Sequence, residues 1–144
     1  MLRERLKRHA TLRNLTFGFA LIQFVWLMWY YYTGFGGPQE LVARILSLTL
    51  ILQILIMYQA GYLYKWLPPV ANHIIVAVYV GICLLAFWHF NNEFEQIAIW
   101  RQGSYTTRDF IVGLLVFLLV MELSRLAHPT LFWTNVVLVF YTLF

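Results

Sequence analysis

Glu122 and Arg125 stand three residues apart in an otherwise apolar run, a spacing that puts both on one helical face, where they can pair. Ionisable groups in such a run are costly to place in a membrane, so they are the first place to look for function. One role is a proton relay or a substrate counter-ion. The other is structural: the pair ties a helix end to a neighbour, with Arg125 also reaching the headgroups along its aliphatic stem. Four histidines raise haem and metal chemistry. Transmembrane haem ligation needs two imidazoles facing each other at one depth. His9, His73 and His128 fall on one side, at or beyond the edges of the apolar runs, and His89 stands alone at the other, so each reads as an interfacial polar residue. Cys83 is the single cysteine, which excludes an internal disulfide and a thiolate cluster; inside an apolar run it reads as an inert thiol. Gln23 and Gln53 sit near the middles of two apolar runs, where amides join helices by hydrogen bonds, either with each other or each with a separate partner. Ala77 and Gly81 form a small-xxx-small step, which permits close helix approach. Gly34, Gly36 and Gly37 are no phosphate loop, since no strand precedes them and no Gly-Lys-Ser/Thr follows. No nucleophile stands beside a base, and no cofactor or metal set emerges. The chain therefore reads as a non-enzyme without catalytic, cofactor or metal residues.

The elements that position these residues are membrane helices. The 144 residues are 62% hydrophobic and 11% charged, with a mean hydropathy of +0.72. A soluble domain of this length needs far more charge on its surface. Aromatics reach 19% and gather near the ends of the apolar runs, as Trp and Tyr do at a bilayer interface. The net charge of +4 does not point to nucleic acid, because half of the positive charge lies in one patch, Arg3, Arg5, Lys7, Arg8 and Arg13, beside an apolar run. That run is too long for a signal-peptide core, and Tyr30, Tyr31 and Tyr32 follow it instead of a small-residue cleavage site. A retained first helix is expected.

A span needs about 20 apolar residues. The predicted spans are 12–33, 41–64, 70–90 and 110–126. Gly34, Gly36, Gly37 and Pro38 break the first; Lys65, Trp66, Pro68 and Pro69 close the second. A polar stretch from Asn91 to Arg108 follows the third, with a short surface helix over Glu95–Arg101 that Gly103 ends. Thr106 and Asp109 have capping-box spacing at the start of the fourth. Pro129 breaks it, and the segment 131–144 is short for a full span. The predicted fold is a single all-α integral membrane domain over 1–144: four transmembrane helices and a shorter fifth C-terminal hydrophobic helix. With the N-terminus inside, seven Lys and Arg lie inside and only Arg44, Arg101 and Arg108 outside, which favours a cytoplasmic N-terminus.

The last third of the chain carries a resemblance. It reads Trp-Arg-Gln-Gly-Ser-Tyr-Thr-Thr-Arg-Asp-Phe-Ile-Val-Gly from Trp100, then an apolar run, then Met-Glu-Leu-Ser-Arg, then an apolar helix ending Phe-Tyr-Thr-Leu-Phe. This resembles the small membrane part of TRAP (tripartite ATP-independent periplasmic) transporters, most of all the fused permeases of the TAXI subgroup. In those, an Arg/Gly-x-x-Thr-x-x-Asp lead-in opens a helix ending Leu-Glu-x-x-Arg-Arg, and the next helix ends Tyr-Ala-Leu-Phe-Gly. The matching positions are Gly103, Thr106, Asp109, Gly113, Glu122, Arg125, Tyr141, Leu143 and Phe144. Leu126 stands where a second Arg is usual and Pro129 where Gly is usual; the earlier spans match in layout only.

The resemblance implies a small scaffolding subunit that braces a large permease subunit in a bacterial or archaeal cytoplasmic membrane. A periplasmic solute-binding protein delivers small, often carboxylate-bearing solutes, and the large subunit holds the solute and sodium sites, so none is carried onto this chain. Glu122, Arg125, Asp109, Thr106, Gln23 and Gln53 are then structural and interface candidates. The rival readings are a stand-alone small transporter, marked by a polar stripe on a shared pore, and an anchor subunit of another complex, marked by facing histidines.

Overall fold

The computed structural model describes residues 2–33, 38–61, 63–101 and 103–143, with side chains for 11–33, 40–61, 63–101 and 103–142. Gly34, Gly36, Gly37 and Phe144 lie outside the described residues, as do the side chains of Arg3, Arg5, Lys7, Arg8, His9 and Leu143. Of the described residues 90% are helical, and none lies in a strand. Five α-helices follow in order: α1 (Leu2–Thr33), α2 (Pro38–Ala60), α3 (Pro69–Glu95), α4 (Thr107–Ala127) and α5 (Pro129–Leu143). Three of them, α2, α3 and α5, begin on a proline, whose fixed φ suits the first helical position and whose missing N–H costs nothing there.

Four helices are long and apolar enough to cross a membrane, with candidate spans Thr11–Thr33, Glu40–Ala60, Pro69–Trp100 and Thr107–Ala127. Two of these spans end more than three residues away from the sequence reading. α2 stops at Ala60 rather than running to residue 64, and Tyr64 instead opens a turn in which its carbonyl accepts the Leu67 N–H at 3.2 Å. α3 does not end at Phe90. Its polar continuation stays helical to Glu95 and passes without a break into a π-helical turn, Gln96–Trp100, closed by Arg101 N–H donating to the Gln96 carbonyl at 2.8 Å. The separate surface helix expected over Glu95–Arg101 is therefore the wound-out end of α3. No Gly or Pro interrupts it before Gly103, where φ is +85°. α5 has 15 residues, about 22 Å of helix, short of a hydrocarbon core of about 30 Å.

The core lies between α2, α3 and α4. It is built from Leu50, Ile51 and Ile54, from Cys83 and Ala86, and from Val112, Val116, Leu119 and Leu123. The α4 set recurs every three or four residues, one stripe of a helix. Ser47, Cys83 and Ala86 are small and almost completely buried, so small side chains are what let α2 and α3 pack closely. The Ala77–Gly81 step does not contribute. Gly81 lies about 200° around the helix from Cys83, on the exposed face, and a Cβ added there would meet nothing. α1 packs on α2 and reaches the central core with Phe19, and α5 packs on α4 without contributing to that core. Their outer faces, with Phe17, Phe24, Trp29, Trp133 and Phe140, are exposed.

Candidate functional site

Polar side chains gather at opposite ends of the bundle. One cluster joins the start of α4 to the end of α3. Thr106 caps α4: its hydroxyl accepts the Asp109 N–H at 3.3 Å, and the Asp109 carboxylate accepts the Thr106 N–H at 2.9 Å. Asp109 does more than cap. Its Oδ1 lies 2.9 Å from His89 Nε2, and its Oδ2 accepts from Arg101 Nη1 at 3.2 Å. A carboxylate only accepts, so His89 carries its proton on Nε2. The other Arg101 nitrogen donates to Glu93 at 2.5 Å. Both the His89 and Asp109 side chains are about nine-tenths buried. The Glu93 hydrogen bond raises the Arg101 pKa above its ordinary value, burial works against it, and Asp109 adds to the rise. A cavity of about 620 Å³ opens beside these groups, bordered by Trp88, Asn92 and Arg108.

The second cluster lies toward the other end and holds the pair singled out by spacing. Arg125 grips Glu122 with Nε at 2.8 Å and Nη2 at 2.5 Å, the two-pronged geometry that a guanidinium offers a carboxylate. Tyr64 donates its hydroxyl to Glu122 as well. With that proton committed, the 2.9 Å contact between Tyr64 and Tyr79 is a donation from Tyr79. Burial, followed by the hydrogen bond to Glu122, pushes the Tyr64 pKa upward. The chain Tyr79–Tyr64–Glu122–Arg125 thus links α3, the turn after α2, and α4.

Asn72 makes that turn. It is completely buried, its Oδ1 accepts the Tyr64 N–H at 3.0 Å, and its Nδ2 donates to the carbonyls of Tyr64 at 2.9 Å and Leu67 at 3.2 Å. One side chain thus serves backbone groups of the turn between α2 and α3.

The two amides do not meet each other. Gln23 Nε2 donates to Thr49 Oγ1 at 2.9 Å, one turn short of Gln53 on α2. Gln53 makes no side-chain hydrogen bond to a described residue. The rotation of α1 against α2 decides this, and spacing does not contain it. Reading the sequence also missed His89 and Arg101 as partners of Asp109, Glu93 as a partner of Arg101, and Tyr64, Tyr79 and Asn72 altogether. For Asn72 a signal exists, a polar residue in the first turn of an apolar helix just after Pro68-Pro69; for the tyrosines none distinguishes them from interfacial anchors.

Each carboxylate of these clusters is engaged by cations or hydroxyls of the same chain. Among the described residues no three His, Cys, Asp or Glu side chains converge to hold a metal ion. The arrangement clamps helix ends together. No protein-family model matches the chain, and neither does a curated protein or a solved structure.

Proposed function

We propose that the chain is the small, scaffolding membrane subunit of a TRAP-type, cation-coupled secondary transporter. In this reading it sits in a bacterial or archaeal cytoplasmic membrane with its N-terminus inside. It braces a large permease subunit that carries the solute and sodium sites and receives small, carboxylate-bearing solutes from a periplasmic binding protein. The observation that carries the reading is the run from Gly103 through Thr106, Asp109 and Gly113 to Glu122 and Arg125. Its polar members are spent on holding helices: Thr106 and Asp109 cap α4 and anchor it to α3, and Glu122 and Arg125 anchor its other end. Four helices of spanning length, with large apolar side chains outward, support insertion. Self-satisfied polar clusters at the ends, with no broken helix around a mid-membrane site, fit a scaffold better than a self-contained transporter.

Mild detergent extraction tests the reading. Co-purification of a larger, multi-helix permease is expected, and the chain reconstituted alone is expected to insert into liposomes without solute uptake. Uptake by the purified chain alone would overturn the scaffold role and favour the stand-alone transporter.

A further inference from the structure

A second cavity, about 370 Å³, lies where the end of α1, the start of α2 and α3 come together. Its size falls within the usual range of small-ligand sites, roughly 300–1,000 Å³. Trp26, Trp29, Tyr30 and Phe87 wall it, and Glu40 and Arg44 supply its charge. Two of these groups lack partners. Tyr30 is 7% exposed, and its buried hydroxyl makes no hydrogen bond to a described residue. Arg44 spends one terminal nitrogen on Glu40, while its buried Nε–H donates to no described residue. Unsatisfied donors in so apolar a setting are costly, and two on one cavity wall call for a shared acceptor.

We propose that this cavity binds the headgroup of a zwitterionic phospholipid. The Tyr30 hydroxyl and Arg44 Nε–H donate to the phosphate; the Glu40 carboxylate and the aromatic faces take the ammonium, which a ring quadrupole attracts. The Arg44–Glu40 pair gives the site both signs of charge, so a purely anionic ligand meets the Glu40 carboxylate without an ammonium to offset it. Both orphan atoms lie just under the cavity wall, so seating the phosphate requires a side-chain adjustment there. Trp29, 61% exposed, has room to turn. The place fits a lipid: the site lies at the ends of spanning helices, among the Trp and Tyr residues that occupy headgroup depth. On the side of α1 that carries Trp29, Leu15, Ile22 and Val25 are exposed and offer an apolar track for the acyl chains. A soluble phosphate ester bearing an ammonium shares the headgroup chemistry but makes no use of that track.

This proposal rests on membrane insertion and not on the transporter assignment. The first measurement is retention of the full chain in membranes through an alkaline wash; release would remove the membrane reading itself. The full chain in mild detergent is then mixed with equal amounts of phosphatidylethanolamine and phosphatidylglycerol of the same acyl chains, and bound lipid is counted by native mass spectrometry. Phosphatidylethanolamine is expected to be retained about fivefold or more over phosphatidylglycerol, and Tyr30→Phe, which removes one oxygen, to weaken its retention by about fivefold, the worth of one modest hydrogen bond. Glu40→Gln is expected to abolish the preference between the two lipids. Cys83 burial, read by thiol labelling, verifies that each variant is folded. Excess phosphoethanolamine should leave the lipid bound; displacement would overturn the lipid as occupant and assign the site to a soluble ester. Equal retention of the two lipids by the wild-type chain, or unchanged retention in a folded Tyr30→Phe variant, would overturn the proposal while the membrane reading stands.

Discussion

Asn72→Ala is the sharpest probe of how the helices are held. Asn72 is completely buried and serves the Tyr64 N–H, the Tyr64 carbonyl and the Leu67 carbonyl within one turn. Truncation takes the partner from the Tyr64 N–H and the Leu67 carbonyl, while the Tyr64 carbonyl keeps the Leu67 N–H at 3.2 Å, and each buried polar group left unsatisfied costs about 1–3 kcal/mol. The variant no longer has to bury the amide, and water enters the opened turn, which together offset part of that sum. A net loss of about 2–4 kcal/mol is the expected result. For a chain of this length each kcal/mol lowers the thermal midpoint by about 3 °C, so the shift should be about 6–12 °C. Asn72→Asp should be at least as damaging at neutral pH: it keeps an acceptor for the Tyr64 N–H but turns the donor end into a second acceptor facing two carbonyls. Cys83, 1% exposed and on the same helix, is a native reporter. Heating in detergent with a thiol-reactive dye gives the midpoint at which α3 opens. A midpoint within about 2 °C of wild type for Asn72→Ala would refute the argument that this side chain staples the α2–α3 turn.

Glu122→Gln should lower the yield of assembled complex while leaving transport per assembled complex unchanged; normal yield with abolished transport would make Glu122 a relay and not a clamp. Thr106→Ala should cost about 1 kcal/mol, the usual worth of an N-cap, whereas Asp109→Ala should cost more because it also releases His89 and Arg101; equal midpoint shifts in the dye assay would contradict the linked cluster. Gln23→Leu should cost about 0.6 kcal/mol or less, since it removes one hydrogen bond to Thr49 and also an unsatisfied carbonyl oxygen; a loss several times larger would show a partner beyond Thr49. In a Cys83→Ser background, impermeant thiol reagent applied to intact cells should label Ser104→Cys and not Lys7→Cys; the reverse pattern would invert the topology.

How much of this was legible in the sequence follows from the range of each interaction. The all-helical build with four helices of spanning length was, because apolar run length and scarce charge are properties of local sequence. The prolines at 38, 69 and 129 marked breaks between apolar runs, where the structure begins α2, α3 and α5, and Thr106 with Asp109 marked a cap, since each acts through backbone geometry within four residues. Glu122 and Arg125 were a readable pair for the same reason: helical pitch alone brings them together. The end of α3 was misjudged because polar residues mark the edge of an apolar run, while the helix itself ends only where a glycine or a lost hydrogen bond ends it. The remaining contacts needed the fold. His89 and Asp109 are twenty residues apart and Tyr64 and Glu122 fifty-eight. Whether Gln23 meets Gln53 or Thr49 depends on the rotation of α1 about its own axis, and whether Ala77 and Gly81 face a helix or the outside depends on that of α3. In a chain that is apolar nearly all the way round each helix, no amphipathic stripe announces that rotation. The packing of small against large side chains sets it, and that is a property of two helices together, absent from either one alone.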